Sequence, residues 1–240
     1  MDNIRILAEY IWLDKEQYPR SKTKVIDINM SNLISLPIWN FDGSSTGQAE
    51  GNNSEVLIKP VKIYSDPIRG APNILVLCEC YNPDMTPHIT NTRFDAVKIF
   101  ENQRVKQEKP WYGIEQEYIL LDNDSNRPLG WPKSEEYFPK PQGKYYCSMG
   151  SNNIAGRSIV EKHLETCLKA NLNVSGINAE VMLGQWEYQI GPCEGINSGD
   201  EMIISRYLLY RICEDYGIKV TLEPKPIKGD WNGSGCHTNF

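Results

Sequence analysis

Residues 113–121, Gly-Ile-Glu-Gln-Glu-Tyr-Ile-Leu-Leu, constrain the fold of this chain more than any other stretch. Side chains two apart on a strand point the same way, so Glu115 and Glu117 share one face. Ile114, Tyr118 and Leu120 occupy the other. The segment therefore belongs to a sheet with one face turned to a core and the opposite face carrying two carboxylates. Two adjacent carboxylates repel each other unless a cation lies between them. Taken alone, the pair reads first as a solvated strand face, with a ligand site as the other reading.

The 240 residues suffice for one large domain or two smaller ones. Up to about residue 85 the signals are short strands broken by turns. Residues 4–13 and 24–29 read as strands, and 74–80 (Ile-Leu-Val-Leu-Cys-Glu-Cys) as a fully buried one. Residues 40–53 and 65–73 are rich in turn formers, and 81–92, with Pro83 and Pro87, reads as a linker. Beyond it, a helix is expected over 92–107, where Phe94, Val97 and Val105 recur near helical spacing. A strand over 112–121, a long Gly/Pro/aromatic loop over 122–150 and a helix over 154–170 follow. Residues 178–190 read as a strand pair turning at Leu183-Gly184, with a helix over 199–216 and a strand over 218–223 after it. The pattern predicts an α+β chain with a small β-rich domain, 1–85, ahead of a larger α+β domain, 86–240.

Three further segments carry candidate chemistry. Glu180 and Glu187 are separated by an odd number of positions and would face opposite ways on one straight strand. A reversal at Leu183-Gly184 lets both face one cavity, in apolar and aromatic surroundings that solvate a carboxylate poorly. Each is, alone, as consistent with a salt bridge as with a ligand. In Gly229-Asp-Trp-Asn-Gly-Ser-Gly-Cys-His237, glycines permit close backbone approach to a ligand and His237 offers a ring nitrogen. Four carboxylates with one imidazole suit Mg²⁺ or Mn²⁺ rather than structural zinc. Trp39-Asn-Phe-Asp42-Gly-Ser-Ser-Thr-Gly47 reads, without context, as a turn and capping sequence.

Composition narrows the partners. A net charge of −6 with no basic stripe argues against nucleic acid or an anionic membrane surface. No apolar run has membrane-spanning length, and Asp2, Arg5 and Glu9 interrupt what a signal peptide would keep apolar. The seven cysteines are odd in number and scattered, which fits reduced thiols in a cytoplasmic protein better than a disulfide framework or a zinc ribbon.

Taken together, the segments 9–14 (EYIWLD), 39–51 (WNFDGSSTGQAEG), 72–79 (PNILVLCE), 110–118 (PWYGIEQEY), 178–195 (NAEVMLGQWEYQIGPCEG) and 229–240 (GDWNGSGCHTNF) resemble, in order, those of eukaryotic-type glutamine synthetases. The resemblance covers nearly the whole chain. It implies an N-terminal β-grasp domain followed by a catalytic domain with a curved antiparallel sheet and helices. It also implies ligation of ammonia to L-glutamate at the expense of ATP through γ-glutamyl phosphate, in a cytoplasmic homo-oligomer of stacked rings, a decamer, with sites between subunits. Carried over by motif, Glu117, Glu180 and Glu187 match ligands of one Mg²⁺ or Mn²⁺, and Glu115 and His237 ligands of a second. Asn232 and Gly233 match glutamate-binding positions. Trp111, Glu187, Tyr188, Gln189, Ile190, Gly191, Pro192, Asn239 and Phe240 match parts of the ATP site. Asp42 matches the aspartate that a neighbouring subunit lends to the ammonium site, and Asp42, Glu115 and Glu187 are the catalytic candidates.

Two positions depart from the family pattern. Leu183 stands where many relatives have proline, and Lys15 where glycine is usual. The final residues, 236–240, read as an interrupted strand, so the catalytic domain is expected to be incomplete at its C-terminus and the 240-residue chain inactive alone. The absent part of the family carries phosphate-neutralising arginines. Two alternatives stand beside this reading: a ligase for an amine other than ammonia, and a short non-catalytic homologue that binds nucleotide or joins a ring as a regulatory subunit.

Overall fold

A computed structural model describes residues 4–28 and 36–240. The expected strand over 24–29 is described through residue 28; Asn29 lies outside the described residues. The chain divides into two compact units, one of residues 1–109 with 169–171, the other of 110–168 with 172–240.

The first unit is built on a five-stranded sheet of β1 (Ile4–Leu13), β2 (Pro19–Ile28), β3 (Trp39–Asp42), β4 (Glu55–Ser65) and β5 (Ile74–Tyr81). Their order is β2-β1-β5-β4-β3, with β1 and β5 parallel and the other pairs antiparallel. All eight residues of β5 are buried, as its unbroken apolar run predicts for a central strand. Ile6, Ala8, Tyr10 and Trp12 of β1 share one face with Val56, Ile58, Val76, Cys78 and Cys80, and together form this unit's core. β4 runs through Pro60 because the register shifts between Pro60 and Lys62, a bulge that removes the need for a ladder N–H there.

The single helix expected over 92–107 is instead two, α1 (Thr92–Phe100) and α2 (Gln103–Glu108). Asn102 takes an extended ψ of 130° and its side chain accepts a hydrogen bond from the Arg104 N–H, starting a new helix. Neither helix buries a residue within this chain, so no apolar stripe holds the two as one.

The second unit is an antiparallel sheet ordered β10-β6-β8-β7, formed by β6 (Trp111–Asp122), β7 (Val174–Ala179), β8 (Gln185–Glu194) and β10 (Cys236–Asn239). β9 (Ile218–Thr221) pairs with the far end of β6. Tyr118 and Leu120 of β6 and Trp186, Tyr188 and Ile190 of β8 pack on one face against α3 (Arg157–Lys169) and α4 (Asn197–Asp215), through Ile159, Val160, Met202, Leu209 and Ile212. The opposite face is apolar at one end, where Ile119, Leu121, Met182 and Leu183 meet Trp131 and Tyr145 of the loop. At the other end it carries the acidic residues of β6.

His163 of α3 lies in this core at 1% exposure. Its Nε2 is 2.9 Å from the Ser205 carbonyl oxygen, its Nδ1 has no partner, and its ring meets Tyr188 edge-on at 4.8 Å. Burial pushes its pKa down to about 4. Because the folded value lies below that of the unfolded chain, about 6.5, the stability it contributes is complete above pH 6.5 and is lost as pH falls towards 4. We expect His163 to account for about 3 kcal/mol of stability lost between pH 7 and pH 4. Denaturant midpoints across that range should fall less steeply for His163→Gln than for the wild type; equal slopes would contradict this.

Candidate metal centre

The antiparallel register brings the acidic residues together. Glu117 of β6 pairs directly with Glu187 of β8, and Glu187 with Asn178 of β7. The chain turns between β7 and β8 over 180–184, and Gly184 adopts a φ of +89° there. A Cβ on Gly184 would stand 2.7 Å from the Leu129 carbonyl oxygen, so close packing as well as backbone conformation excludes a side chain. The turn carries Glu180 back over the same face. Ligand oxygens of Glu117, Glu180 and Glu187 all lie within 4.8 Å of one another. An ion with bonds of about 2.1–2.5 Å spans oxygens up to about 5 Å apart, so this all-oxygen set fits Mg²⁺, Mn²⁺ or Ca²⁺.

Glu180 and Glu187 are buried, at 7% and 8% exposure. Loss of solvent raises the carboxyl pKa of both, and repulsion from neighbouring carboxylates raises them further, from Glu117 and Glu187 at Glu180 and from Glu115 and Glu117 at Glu187. Opposing donors hold the anions in place. Asn178 Nδ2 donates to Glu180 at 3.0 Å, Gln189 Nε2 donates to Glu187, and the Gly235 N–H donates to Glu117 at 2.7 Å.

β10 lies beside β6, with His237 opposite Glu115 and its Nδ1 3.6 Å from a Glu115 oxygen. Asn239 Nδ2 donates to the other Glu115 oxygen at 2.8 Å. This second pair is within electrostatic reach of Glu187, which both residues perturb. All five expected metal-ligand residues therefore meet on one sheet face.

The loop leading into β10 is held by buried Gln185, a residue the sequence analysis did not single out. Its side chain donates to the Gly233 carbonyl at 2.8 Å and accepts from Asn232 Nδ2 at 3.0 Å. The remaining expected nucleotide residues separate by face. Trp111 and Phe240 are exposed. Tyr188 and Ile190 turn into the helix-covered core, where the Tyr188 hydroxyl lies 2.9 Å from Ser205 Oγ, so their side chains lie away from the acidic face. Gly191 donates its N–H to the Asn173 carbonyl at 2.7 Å.

Asp42 belongs to the first unit. Its exposed carboxylate caps a 3-10 turn, Gly43–Thr46, accepting from Ser44 N–H at 3.0 Å and Ser44 Oγ at 2.6 Å. Hydrogen bonds from Ser44 and Ser54 keep its carboxyl below the usual range, so it is anionic near neutral pH. Gln48 and His88, both buried, anchor the turn: His88 Nε2 meets the Gln48 carbonyl at 2.7 Å, and Gln48 Nε2 donates to Thr90 at 2.8 Å.

Comparison with known proteins agrees with this arrangement. Residues 6–83 match the family described as glutamine synthetase, beta-Grasp domain, and residues 90–240 match glutamine synthetase, catalytic domain. The chain is 54% identical over 237 residues to the glutamine synthetase of Schizosaccharomyces pombe, covering 99% of this chain and 65% of that protein. It is 53% identical over 241 residues to that of Neurospora crassa, covering 99% and 65%. It is also 53% identical over 237 residues to glutamine synthetase root isozyme 3 of Zea mays, covering 98% and 66%. The chain thus spans about 65% of the length of the first of these curated relatives.

Fold and site define a two-unit chain of β-grasp and curled-sheet architecture with a carboxylate centre suited to hard divalent cations. The chain belongs to the glutamine synthetase family.

With no cation bound, ionised Glu187 is a cost to folding. Its folded pKa lies above the unfolded value, so the penalty is full above the folded value and fades as pH falls through it. Glu187→Gln is expected to stabilise the metal-free chain at neutral pH, with the gain shrinking as pH falls. Mn²⁺ at about 100 times its Kd should stabilise the wild type by about 2.7 kcal/mol and the variant far less. Thermal melts with and without EDTA read both effects; equal Mn²⁺ stabilisation of the two proteins would refute the assignment.

Proposed function

We propose that this chain provides the β-grasp unit and the metal-binding part of the catalytic unit of an enzyme that joins ammonia to L-glutamate using ATP. The products are L-glutamine, ADP and phosphate. The observation that carries the reading is the meeting of Glu117, Glu180 and Glu187 on one sheet face beside the Glu115–His237 pair, in a chain of this family.

A carboxylate is a poor electrophile at neutral pH, so its side-chain oxygen first attacks the γ-phosphorus of ATP and ADP leaves. Nitrogen then displaces phosphate from the resulting γ-glutamyl phosphate. Glu117, Glu180 and Glu187 would hold one Mg²⁺ or Mn²⁺, and Glu115 and His237 would contribute to a second. Bound there, such ions neutralise phosphate charge and align the attacking and leaving oxygens. Asn232 and Gly233 hold the glutamate, with Gln185 fixing both. Trp111, Glu187, the backbone of 188–192, Asn239 and Phe240 flank the nucleotide. Asp42, anionic and exposed, attracts ammonium and takes the proton that must leave before nitrogen can attack. Water has to be excluded, or the acyl phosphate hydrolyses.

The same reading takes the working enzyme to be a cytoplasmic homo-oligomer of stacked rings, a decamer in which Asp42 serves a neighbouring subunit's site. It keeps the domain division at 1–85 and 86–240. Among the described residues, no helix is long and apolar enough to cross a membrane. The chain spans about 65% of its relatives' length, and we infer that the remainder supplies cations to the transferring phosphoryl group.

The test is ATP-dependent glutamine formation by the 240-residue chain and by the same chain extended with the remaining part of the Schizosaccharomyces pombe relative. The extended protein should turn over and the 240 residues alone should not. In the extended protein Asp42→Ala should lower ammonia-dependent turnover by about 10²–10⁴. Equal turnover by both chains, or activity indifferent to Glu187→Ala, would overturn the reading.

A further inference from the structure

Between the two most buried carboxylates of the metal centre lie two side-chain amides, both part-buried and arranged in series. Gln189 Nε2 donates to Glu187 Oε1 and also to Asn178 Oδ1, the latter at 2.8 Å. Because the Asn178 oxygen is committed as an acceptor, its NH2 is the end that faces Glu180, and it donates to Glu180 Oε1 at 3.0 Å. The order is Glu187, Gln189, Asn178, Glu180. One amide N–H claims one oxygen of each carboxylate, and every carboxylate keeps lone pairs for another partner.

The backbone is shaped to permit this. Gln189 sits opposite Gly176 in the β7–β8 register. A Cβ on Gly176 would stand 2.6 Å from Gln189 Oε1, inside any real contact, so the absence of a side chain at 176 lets the Gln189 amide lie across β7. Gly176 is not among the positive-φ glycines, so steric room, not backbone freedom, is what glycine provides there.

We propose that Asn178 and Gln189 are positioning residues, an amide relay that fixes the spacing and orientation of the Glu180 and Glu187 carboxylates for a divalent cation, with Gly176 giving the relay its room. The proposal rests on the carboxylate centre put forward above and goes beyond it. Without the relay, two poorly solvated anions would swing apart and take up new partners. With it, each is stabilised by a neutral donor that holds its free lone pairs toward the shared space. The relay also gives the Gln189 side chain a role at the metal centre rather than one confined to the nucleotide.

The test uses the 240-residue chain and Mn²⁺ alone, with free Mn²⁺ read by electron paramagnetic resonance. Asn178→Ala and Gln189→Ala should each weaken Mn²⁺ binding about tenfold. The double variant should bind about as weakly as the weaker single one, since both break the same chain. Gly176→Ala keeps every donor and charge and should weaken binding in the same direction by a smaller factor. Melting temperatures in EDTA should fall modestly in the two amide variants, each of which takes a donor from a buried carboxylate, and not in proportion to the loss of affinity, which separates positioning from general loss of structure. Wild-type affinity in Asn178→Ala and Gln189→Ala, with affinity lost in Glu187→Ala, would overturn the relay and leave the centre standing. Multiplying effects in the double variant, or affinity losses that track losses in metal-free melting temperature, would also overturn it. Unchanged affinity in Glu187→Ala would overturn the centre and the relay together.

Discussion

Electrostatic repulsion among carboxylates gathered on one sheet face is the constraint on which the second unit turns. Glu117 and Glu187 are direct cross-strand partners, a pairing that destabilises a sheet when both are charged and nothing lies between them. Glu180 is added to that pair by the 180–184 turn. The fold meets this cost with what lies on the other side of the same strands. Trp186 and Tyr188 flank Glu187 in sequence and anchor β8 in the core with α3 and α4. Burying an aromatic side chain contributes about 2–3 kcal/mol, which opposes the repulsion that the neutral donors leave uncompensated. The apolar face thus forces the register, and the register forces the acids together.

Among the described residues, no lysine or arginine pairs with Glu117, Glu180 or Glu187, and neutral donors take that place. A cationic side chain in the cluster would satisfy the charge and compete with an incoming metal ion. Asn178, Gln189 and the Gly235 N–H lower the energy of the anions while leaving the net negative charge intact. Elsewhere the chain uses the opposite solution. In the first unit, buried Glu9 and Asp66 share Arg69, at 2.9 and 3.2 Å, and buried Glu79 receives Arg93 at 2.6 Å. Buried acids with a guanidinium partner serve architecture. Glu180 and Glu187, whose side-chain partners are amides, keep capacity for an ion.

Much of this was legible in the sequence, for identifiable reasons. The period-two pattern of 113–121 separates core from acid face without reference to other strands, and Leu183-Gly184 announces the reversal that returns Glu180 to Glu187. The unbroken apolar run of 74–80 marks a central strand. Less visible were features decided by a single side chain acting against its surroundings. Asn102 splits one expected helix into two because a capping bond outweighs weak periodicity. β4 persists across Pro60 because a bulge absorbs it. Asn178, Gln189 and Gln185 were not legible as partners of the acids, since an amide has no periodic signature and its role depends on which strand lies opposite. The likeness of Tyr188 and Ile190 to nucleotide-site positions likewise says nothing of their facing the core, although strand alternation from Glu187 would have given it.

The central claim is that Glu117, Glu180 and Glu187 enclose a site for one divalent cation. The most direct measurement is an anomalous difference map from a crystal of the 240-residue chain soaked in Mn²⁺. The account predicts a peak between those three carboxylates, about 2.1–2.5 Å from an oxygen of each. Three carboxylates in well-defined positions with no peak between them, or manganese bound only at other surfaces, would contradict it.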